Sequence, residues 1–164
     1  MKQPWEGLLL QHAEEVFRYL RKIGATKEDA EDAVQEAIMK TIECIAQIEL
    51  THLRAWLYKV AIHRYYTLYK KQKKSIYLTD DDAALLTSNI SIEADFLTKE
   101  RQTTIYNALQ KIQPNFQQLL IMKYFSELSY KDMAAILDVS EPHIKTYLQR
   151  ARKALRKRLE DLDE

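Results

Sequence analysis

The sequence predicts an all-α protein built from two small helical domains and a flexible linker. Only two glycines and three prolines occur in its 164 residues, whereas a sheet protein of this length needs many turns that use those residues. Hydrophobic residues nevertheless make up 46% of the chain, which excludes a disordered or low-complexity protein. Apolar residues also recur at intervals of three and four along most of the sequence, as on the buried face of a helix.

The N-terminal half contains three such apolar stripes. The first covers residues 9–23 and is followed by Gly24, a residue that commonly ends a helix. Thr26 can cap a second helix over residues 27–46. The third stripe begins at Leu53 and continues to about Lys70. Three consecutive helices are therefore expected in this half.

A linker is expected where the periodicity is lost. From residue 76 to residue 89 the chain becomes polar and rich in short side chains, which leaves a backbone solvated. Helical periodicity is clear again from Leu97 onward, and Pro114 separates that helix from another over residues 116–125. The predicted division is a first domain over residues 1–75, a linker over 76–92 and a second domain over 93–164.

The end of the chain has the outline of a helix-turn-helix. Ser129 can cap a short helix over residues 130–137, and Ser140 can cap a longer one after a three-residue turn. The longer helix has one apolar stripe and two basic rows. The rows are Lys145, Gln149, Arg152 and Arg156, and Thr146, Arg150, Lys153 and Lys157. This pattern suits a helix in the major groove of DNA, although a solvated polar face is the alternative on charge alone.

Charge is segregated along a chain whose net charge is only +1. Residues 64–74 combine five cations with three tyrosines and contain no acid, a composition that suits single-stranded DNA. The simpler alternative is the C-terminal end of a helix, where cations interact favourably with the negative pole of the helix dipole. The second predicted helix is acidic instead, so its face should repel DNA and bind a protein.

Nothing in the sequence indicates catalysis, a metal or a cofactor. Cys44 is the single cysteine, and core packing is its expected role. The histidines are scattered and have neither a nucleophile nor a second ligand at useful spacing; they are His12, His52, His63 and His143. No apolar run approaches a membrane span or a signal peptide. We therefore expect a cytoplasmic protein that is not an enzyme and has no small-molecule substrate.

Four segments together resemble the extracytoplasmic-function sigma factors of bacteria. EDAEDAVQEA (residues 28–37) and RAWLYKVAIHR (54–64) resemble the family's region 2, and LSYKDMAAILDVS (128–140) and IKTYLQRARKALRKRL (144–159) resemble its region 4. Asp138 stands where the family often has glycine, and Asp tolerates a left-handed turn. The resemblance implies a sigma factor that binds core RNA polymerase and promoter DNA and is controlled by an anti-sigma factor, which can hold it at the membrane.

The resemblance also implies residue roles. Contacts to the clamp helices of the largest polymerase subunit are expected from Asp32, Gln35 and Glu36. Contacts to the melted minus-ten element are expected from Ile48, Glu49, Leu50, Thr51, Arg54, Arg64, Tyr65, Tyr66 and Lys70. Contacts to the minus-thirty-five duplex are expected from His143, Lys145, Thr146, Gln149, Arg150, Arg152, Lys153 and Arg156.

Two other classes of function remain open at this point. A simple repressor or activator would use only the helix-turn-helix and would bind duplex DNA without core polymerase. An all-helical adaptor would carry the same basic rows as a solvated surface. Association with core RNA polymerase separates these classes, because only a sigma factor requires it.

Overall fold

The computed structural model describes residues 3–75 and 99–162, and this part of the chain contains helices and no strand. The predicted linker over residues 76–92 and the predicted start of the second domain at residue 93 lie outside the described residues. The seven α-helices of the described part are α1 (Pro4–Lys22), α2 (Lys27–Cys44), α3 (Leu53–Ser75), α4 (Lys99–Gln110), α5 (Pro114–Leu120), α6 (Tyr130–Leu137) and α7 (Glu141–Leu162). The all-α prediction is confirmed.

Helices α1, α2 and α3 form a three-helix unit. Tyr19 and Tyr58 lie at its centre with no exposed surface, and their rings meet edge to face at 5.4 Å between centroids. Trp56 ties α3 to α2 because its indole N–H donates to the Thr41 hydroxyl at 3.1 Å. Thr26 caps α2 as predicted, its hydroxyl accepting from the backbone N–H of Asp29 at 3.1 Å.

The helix ends of this unit differ from the prediction by a few residues. α1 begins at Pro4, which is suited to a first helical turn, five residues before the first apolar residue of the predicted stripe. α2 ends at Cys44 rather than at residue 46 and continues as a 3₁₀ turn over Ile45–Gln47. A second 3₁₀ turn over Leu50–His52 leads directly into α3. The segment between α2 and α3 is therefore short and ordered by local hydrogen bonds.

The second half departs from the prediction in one place. The helix expected over residues 116–125 is α-helical only as far as Leu120 and becomes a π-helical segment over Ile121–Phe125. The backbone N–H of Ser126 donates to the carbonyl of Ile121 at 3.0 Å, which closes this wider turn. Such segments often occur at functional positions. Glu127 follows in a left-handed conformation with φ of 54° and ends the segment.

The two halves share one apolar core. Buried residues of α1–α3 and of α5–α7 belong to a single contiguous cluster, which includes Leu20 on one side and Met122 on the other. The two units therefore pack directly against each other, and this contact sets the relative position of the surfaces described below.

No helix in the described ranges has the length and apolar character that crossing a bilayer requires.

Candidate nucleic-acid interface

The predicted helix-turn-helix is formed by α6 and α7. The Ser129 hydroxyl accepts from the backbone N–H of Asp132 at 3.0 Å and caps α6. Asp138 ends α6 with φ of 59° and ψ of 44°, a left-handed conformation that Asp adopts more readily than most residues. The Ser140 hydroxyl then accepts from the backbone N–H of His143 at 3.3 Å at the start of α7. Both predicted caps and the tight turn are confirmed.

α7 packs through one face and presents its basic rows to solvent. Ile144, Leu148 and Ala151 are completely buried, and they anchor the helix on α5 and α6. Seven of the eight side chains predicted for the minus-thirty-five element are exposed: His143, Lys145, Thr146, Gln149, Arg150, Lys153 and Arg156. A continuous polar and cationic surface along a helix of this length can lie in a major groove.

Tyr147 organises the beginning of this surface, and sequence reasoning missed it. Its ring stacks on the His143 ring at 5.5 Å between centroids, and the Arg150 guanidinium lies 5.6 Å from its centroid. These contacts hold two predicted DNA-binding side chains on either side of one aromatic ring. These contacts could have been predicted from the sequence, because His143 lies four residues before Tyr147 and Arg150 lies three residues after it on the same helix.

Arg152 differs from its neighbours because it is half-buried against two tyrosines. Its Nε donates to the Tyr124 hydroxyl at 2.5 Å. Arg152, by hydrogen bonding, also lowers the pKa of Tyr130, and Lys123 lies 4.4 Å from the Tyr130 ring centroid. Tyr124 and Tyr130 thus fix the direction of a cation that the resemblance assigned to the minus-thirty-five duplex. Neither was predicted, because these contacts join different elements of the chain.

The acidic face of α2 carries the residues predicted to bind polymerase. Asp32 and Gln35 are exposed and Glu36 is half-buried. The Arg64 guanidinium from α3 pairs with Glu36 at 2.5 Å and lies 3.4 Å from Asp32. Arg64, predicted to contact the melted minus-ten element, is therefore joined to two of the predicted polymerase contacts.

Two exposed apolar side chains on α2 were not predicted. Met39 is 63% exposed and Ile42 is 48% exposed, and their spacing from Gln35 places all three on one helical face. The exposure of Ile42 could have been predicted from the sequence, because Ile42 lies outside the apolar stripe that α2 buries. An apolar strip beside acidic groups is typical of a protein-binding surface.

The loop predicted to read the minus-ten element lies between α2 and α3. Glu49, Leu50 and Thr51 are exposed, whereas Ile48 is half-buried against the core. A cleft of about 450 Å³ opens beside this loop, and Ile48, Glu49 and Trp56 form part of its wall. A cavity next to a loop is the geometry that a pocket for an unstacked base requires.

The other predicted minus-ten residues lie on α3 in different surroundings. Arg54 is half-buried and donates to Glu15 through Nε at 2.9 Å. Tyr65 is only 7% exposed, whereas Tyr66 is half-buried with its hydroxyl donating to Gln118 at 3.1 Å. Lys70 lies on α3, and its side chain lies outside the described residues. The structure therefore places Arg54 and Tyr66 at the contact between the two halves.

The described residues contain no grouping of three His, Cys, Asp or Glu side chains that could hold a metal ion. His12 is half-buried, and burial lowers its pKa from the ordinary value of 6.5 despite the nearby Glu15 carboxylate. Burial likewise raises the pKa of Tyr58, which donates a short hydrogen bond to Glu15. His12 and Glu15 are thus half-buried, beside the fully buried Tyr58.

Comparison with known proteins agrees with this geometry. The family model for sigma-70 region 2 matches residues 8–75, and the model for sigma-70 region 4 matches residues 102–155. The chain belongs to the extracytoplasmic-function sigma factors. Among the curated relatives of this sigma factor, SigM of Bacillus subtilis is 28% identical over 87% of this chain and 86% of its own length. YlaC of the same species is 28% identical over 94% of this chain and 91% of its own length.

Solved structures share the fold of this sigma factor. The sigma factor RpoE from Bartonella quintana, solved in complex with the anti-sigma factor NepR, superposes with a TM-score of 0.69 at 22% identity, covering 95% of this chain and 96% of that chain. CnrH, solved in complex with the cytosolic domain of CnrY, superposes with a TM-score of 0.66 at 19% identity, covering 98% of this chain and 89% of that chain. Both similarities extend across region 2 and region 4.

Proposed function

We propose that this sigma factor brings core RNA polymerase to promoters by reading two elements with two domains, and that it catalyses no reaction itself. The observation that carries the proposal is the exposed basic face of α7 in a chain whose residues 8–75 also match region 2. A simple duplex-binding regulator needs only the helix-turn-helix. The additional unit, with its acidic face and its loop beside a cleft, is accounted for by polymerase binding and strand capture.

Region 4 is proposed to read the minus-thirty-five element as duplex. The start of α7 presents Lys145, Thr146, Gln149 and Arg150, whose amide, hydroxyl and cationic groups can bond base edges in the major groove. Arg152, Lys153 and Arg156 lie farther along the helix and are proposed to contact phosphates. His143 sits at the helix end, stacked on Tyr147, where it can approach the same groove.

Region 2 is proposed to hold the melted minus-ten strand. Ile48 and Glu49 line the cleft that would receive an unstacked base, and the exposed Leu50 and Thr51 follow them in the same loop. Arg54, Arg64 and Lys70 supply cations for the phosphates. Of the two tyrosines proposed for stacking, the more exposed Tyr66 is favoured over Tyr65.

The exposed face of α2 is proposed as the contact for the largest polymerase subunit. Asp32, Gln35 and Glu36 supply polar and acidic groups, and Met39 and Ile42 add apolar area farther along the same helix. Burial of both apolar side chains would stabilise the complex, at about 1.5–3 kcal/mol for each fully buried side chain.

We also propose that an anti-sigma factor controls this protein in the cytoplasm. RpoE was solved with the anti-sigma factor NepR and CnrH with the cytosolic domain of CnrY, and the same two domains are available here to bind such a partner. The proposal places the sigma factor either free in the cytoplasm or held at the membrane through its partner.

The first test is binding of the full-length chain to core RNA polymerase by gel filtration. A sigma factor elutes with the core enzyme, whereas an isolated duplex-binding regulator elutes alone. The second test compares single-stranded oligonucleotides of the two promoter strands. Preference for the non-template minus-ten strand supports the proposal, and equal binding of both strands would favour the simple regulator.

A further inference from the structure

Arg152 of α7 is held by a tyrosine from another element of the chain. Its Nε donates to the Tyr124 hydroxyl at 2.5 Å, and its guanidinium carbon lies 5.6 Å from the centroid of the same ring. Tyr124 belongs to the π-helical segment and is 58% exposed. Its ring therefore does not fill the core, and packing alone does not account for the position of this side chain.

The π-helical segment explains how Tyr124 reaches α7. Leu120 and Ile121, at and just before its start, are buried. In a continuous α-helix, position 124 would lie on the same face as these two residues, because residues three and four apart share a face. A π-helical turn contains more residues than an α-helical turn, so it changes the direction of the side chains that follow. The wider turn thus directs Tyr124 away from the core and toward Arg152.

The partner of Arg152 is neutral, whereas other arginines that the proposed function assigns to DNA pair with acids. The Nη2 of Arg54 lies 2.9 Å from the Glu15 carboxylate, and Arg64 likewise pairs with an acid of α2. A carboxylate compensates the charge of its arginine. A phenol is uncharged at neutral pH. Tyr124 therefore fixes the direction of the Arg152 guanidinium and leaves its positive charge available to an anion.

Further cations lie beside this contact. The ammonium groups of Lys123 and Lys145 lie 4.4 Å and 5.7 Å from the centroid of the Tyr130 ring. Hydrogen bonding by Arg152 is the main reason that the pKa of Tyr130 is lowered, and the charges of the two lysines add to this effect. Among the described residues, the charged groups that act on Tyr130 are all cations. This flank of α7 is therefore suited to a phosphate.

We infer that Tyr124 is a positioning residue for duplex binding, and that its hydroxyl presets the Arg152 guanidinium for a phosphate of the minus-thirty-five duplex. The inference rests on the phosphate contact proposed for Arg152. Tyr124 occupies the single N–H of Nε, and Nη1 and Nη2 carry the other four N–H groups, which can donate to phosphate oxygens in pairs. An arginine that is already held in one direction loses less conformational freedom on binding DNA than a free one.

The hydroxyl is tested with Tyr124→Phe, which keeps the ring and removes the hydrogen bond. Tyr106→Phe is the matched control, because it removes a phenol hydroxyl from α4, outside the helix-turn-helix. Fluorescence anisotropy measures binding of the full-length chains to a promoter duplex from a mapped start site and to a duplex with a scrambled minus-thirty-five element. Tyr124→Phe is expected to weaken binding to both duplexes by about two- to tenfold at unchanged helical circular dichroism. Tyr106→Phe is expected to bind like the unsubstituted chain.

Variants of Arg152 separate positioning from a structural role. Arg152→Ala removes a charge, so it should weaken binding to both duplexes. The slope of the logarithm of the binding constant against the logarithm of the salt concentration should become shallower by about one. In the Arg152→Ala background, Tyr124→Phe should cause no further loss, because its effect acts through the guanidinium. A structural role of Tyr124 would weaken binding with or without Arg152.

Unchanged affinity of Tyr124→Phe, with weaker binding by Arg152→Ala, would overturn the inference and leave the phosphate contact in place. An undiminished loss in the Arg152→Ala background would also overturn it, as would an equal loss in Tyr106→Phe. Unchanged affinity and salt dependence of Arg152→Ala would contradict the proposed phosphate contact itself, and the inference with it.

Discussion

Arg150 and Arg156 both carry exposed guanidinium groups on α7, yet their loss should have different consequences. Arg150→Ala removes a proposed base contact and should reduce discrimination at one base pair by about 1–3 kcal/mol. Arg156→Ala removes a proposed phosphate contact, so it should weaken binding to all duplexes alike. The slope of the logarithm of the binding constant against the logarithm of the salt concentration should also become shallower by about one. Competition binding with single-base-pair variants of the minus-thirty-five element measures both effects. A uniform loss of affinity in Arg150→Ala would contradict base reading by this residue.

His12 should make the stability of the chain depend on pH. Burial lowers its pKa below 6.5, so the unfolded chain binds the proton more readily than the folded chain. The free energy of unfolding should therefore fall as the pH drops through about 6.5 toward the lower folded-state pKa. Urea denaturation between pH 7.5 and 5.5 measures this, with His12→Gln as the comparison. The variant should lose part of the pH dependence, and identical profiles would show that His12 does not contribute.

The α2 face gives a prediction about polymerase binding. Gln35→Ala and Glu36→Lys should each weaken binding to core RNA polymerase without loss of helical content. Glu36→Lys should have the larger effect. In the unsubstituted chain Arg64 pairs with Glu36 at 2.5 Å, and the substitution places a second cation beside it. Affinity is measured with fluorescently labelled chain and core enzyme. Glu14→Ala is the control, since Glu14 is exposed on α1; equal affinity of all variants would remove α2 from the interface.

The turn between α6 and α7 gives a prediction about stability. Asp138 has φ of 59°, where a β-branched residue is strained. Asp138→Val should lower the free energy of unfolding by about 1–2 kcal/mol, whereas Asp138→Gly and Asp138→Asn should be tolerated. Chemical denaturation of the three variants compares them directly. Equal stability of Asp138→Val and Asp138→Gly would mean that the turn relaxes.

Local features of the helices were predictable, because their determinants lie within a few residues. The caps at Thr26, Ser129 and Ser140 and the left-handed turn at Asp138 depend on adjacent chemistry, and the structure confirms them. The π-helical segment over Ile121–Phe125 was not predicted. In so short a segment, the positions of the apolar residues do not distinguish a π-helical turn from an α-helical one.

Contacts between the two halves could not be predicted from sequence. Arg54 and Ser126 are 72 positions apart, and no periodicity connects them. Arg54 shows the consequence: the family resemblance implied a contact with the minus-ten element, while the structure adds contacts with Glu15 and Ser126. The same reason applies to Tyr124, whose role depends on Arg152 in another helix. The roles assigned to the polymerase and promoter contacts stay predictions.

The molecule as a whole joins two DNA-binding units that must act together on one promoter. The helix-turn-helix unit alone does not distinguish a sigma factor from a duplex-binding regulator, because both classes use one. Their combination requires that core enzyme, a duplex element and a melted element be bound by the same chain. Transcription from a defined start site requires all three.

The most direct measurement is therefore transcription in vitro with purified core RNA polymerase and promoter-sized genomic fragments. Core enzyme plus the full chain should give transcripts with discrete start sites, each preceded by shared minus-ten and minus-thirty-five sequences. Core enzyme alone should give none, and Glu36→Lys should reduce their amount. Duplex binding by the chain with no core-dependent transcript from any fragment would contradict the account.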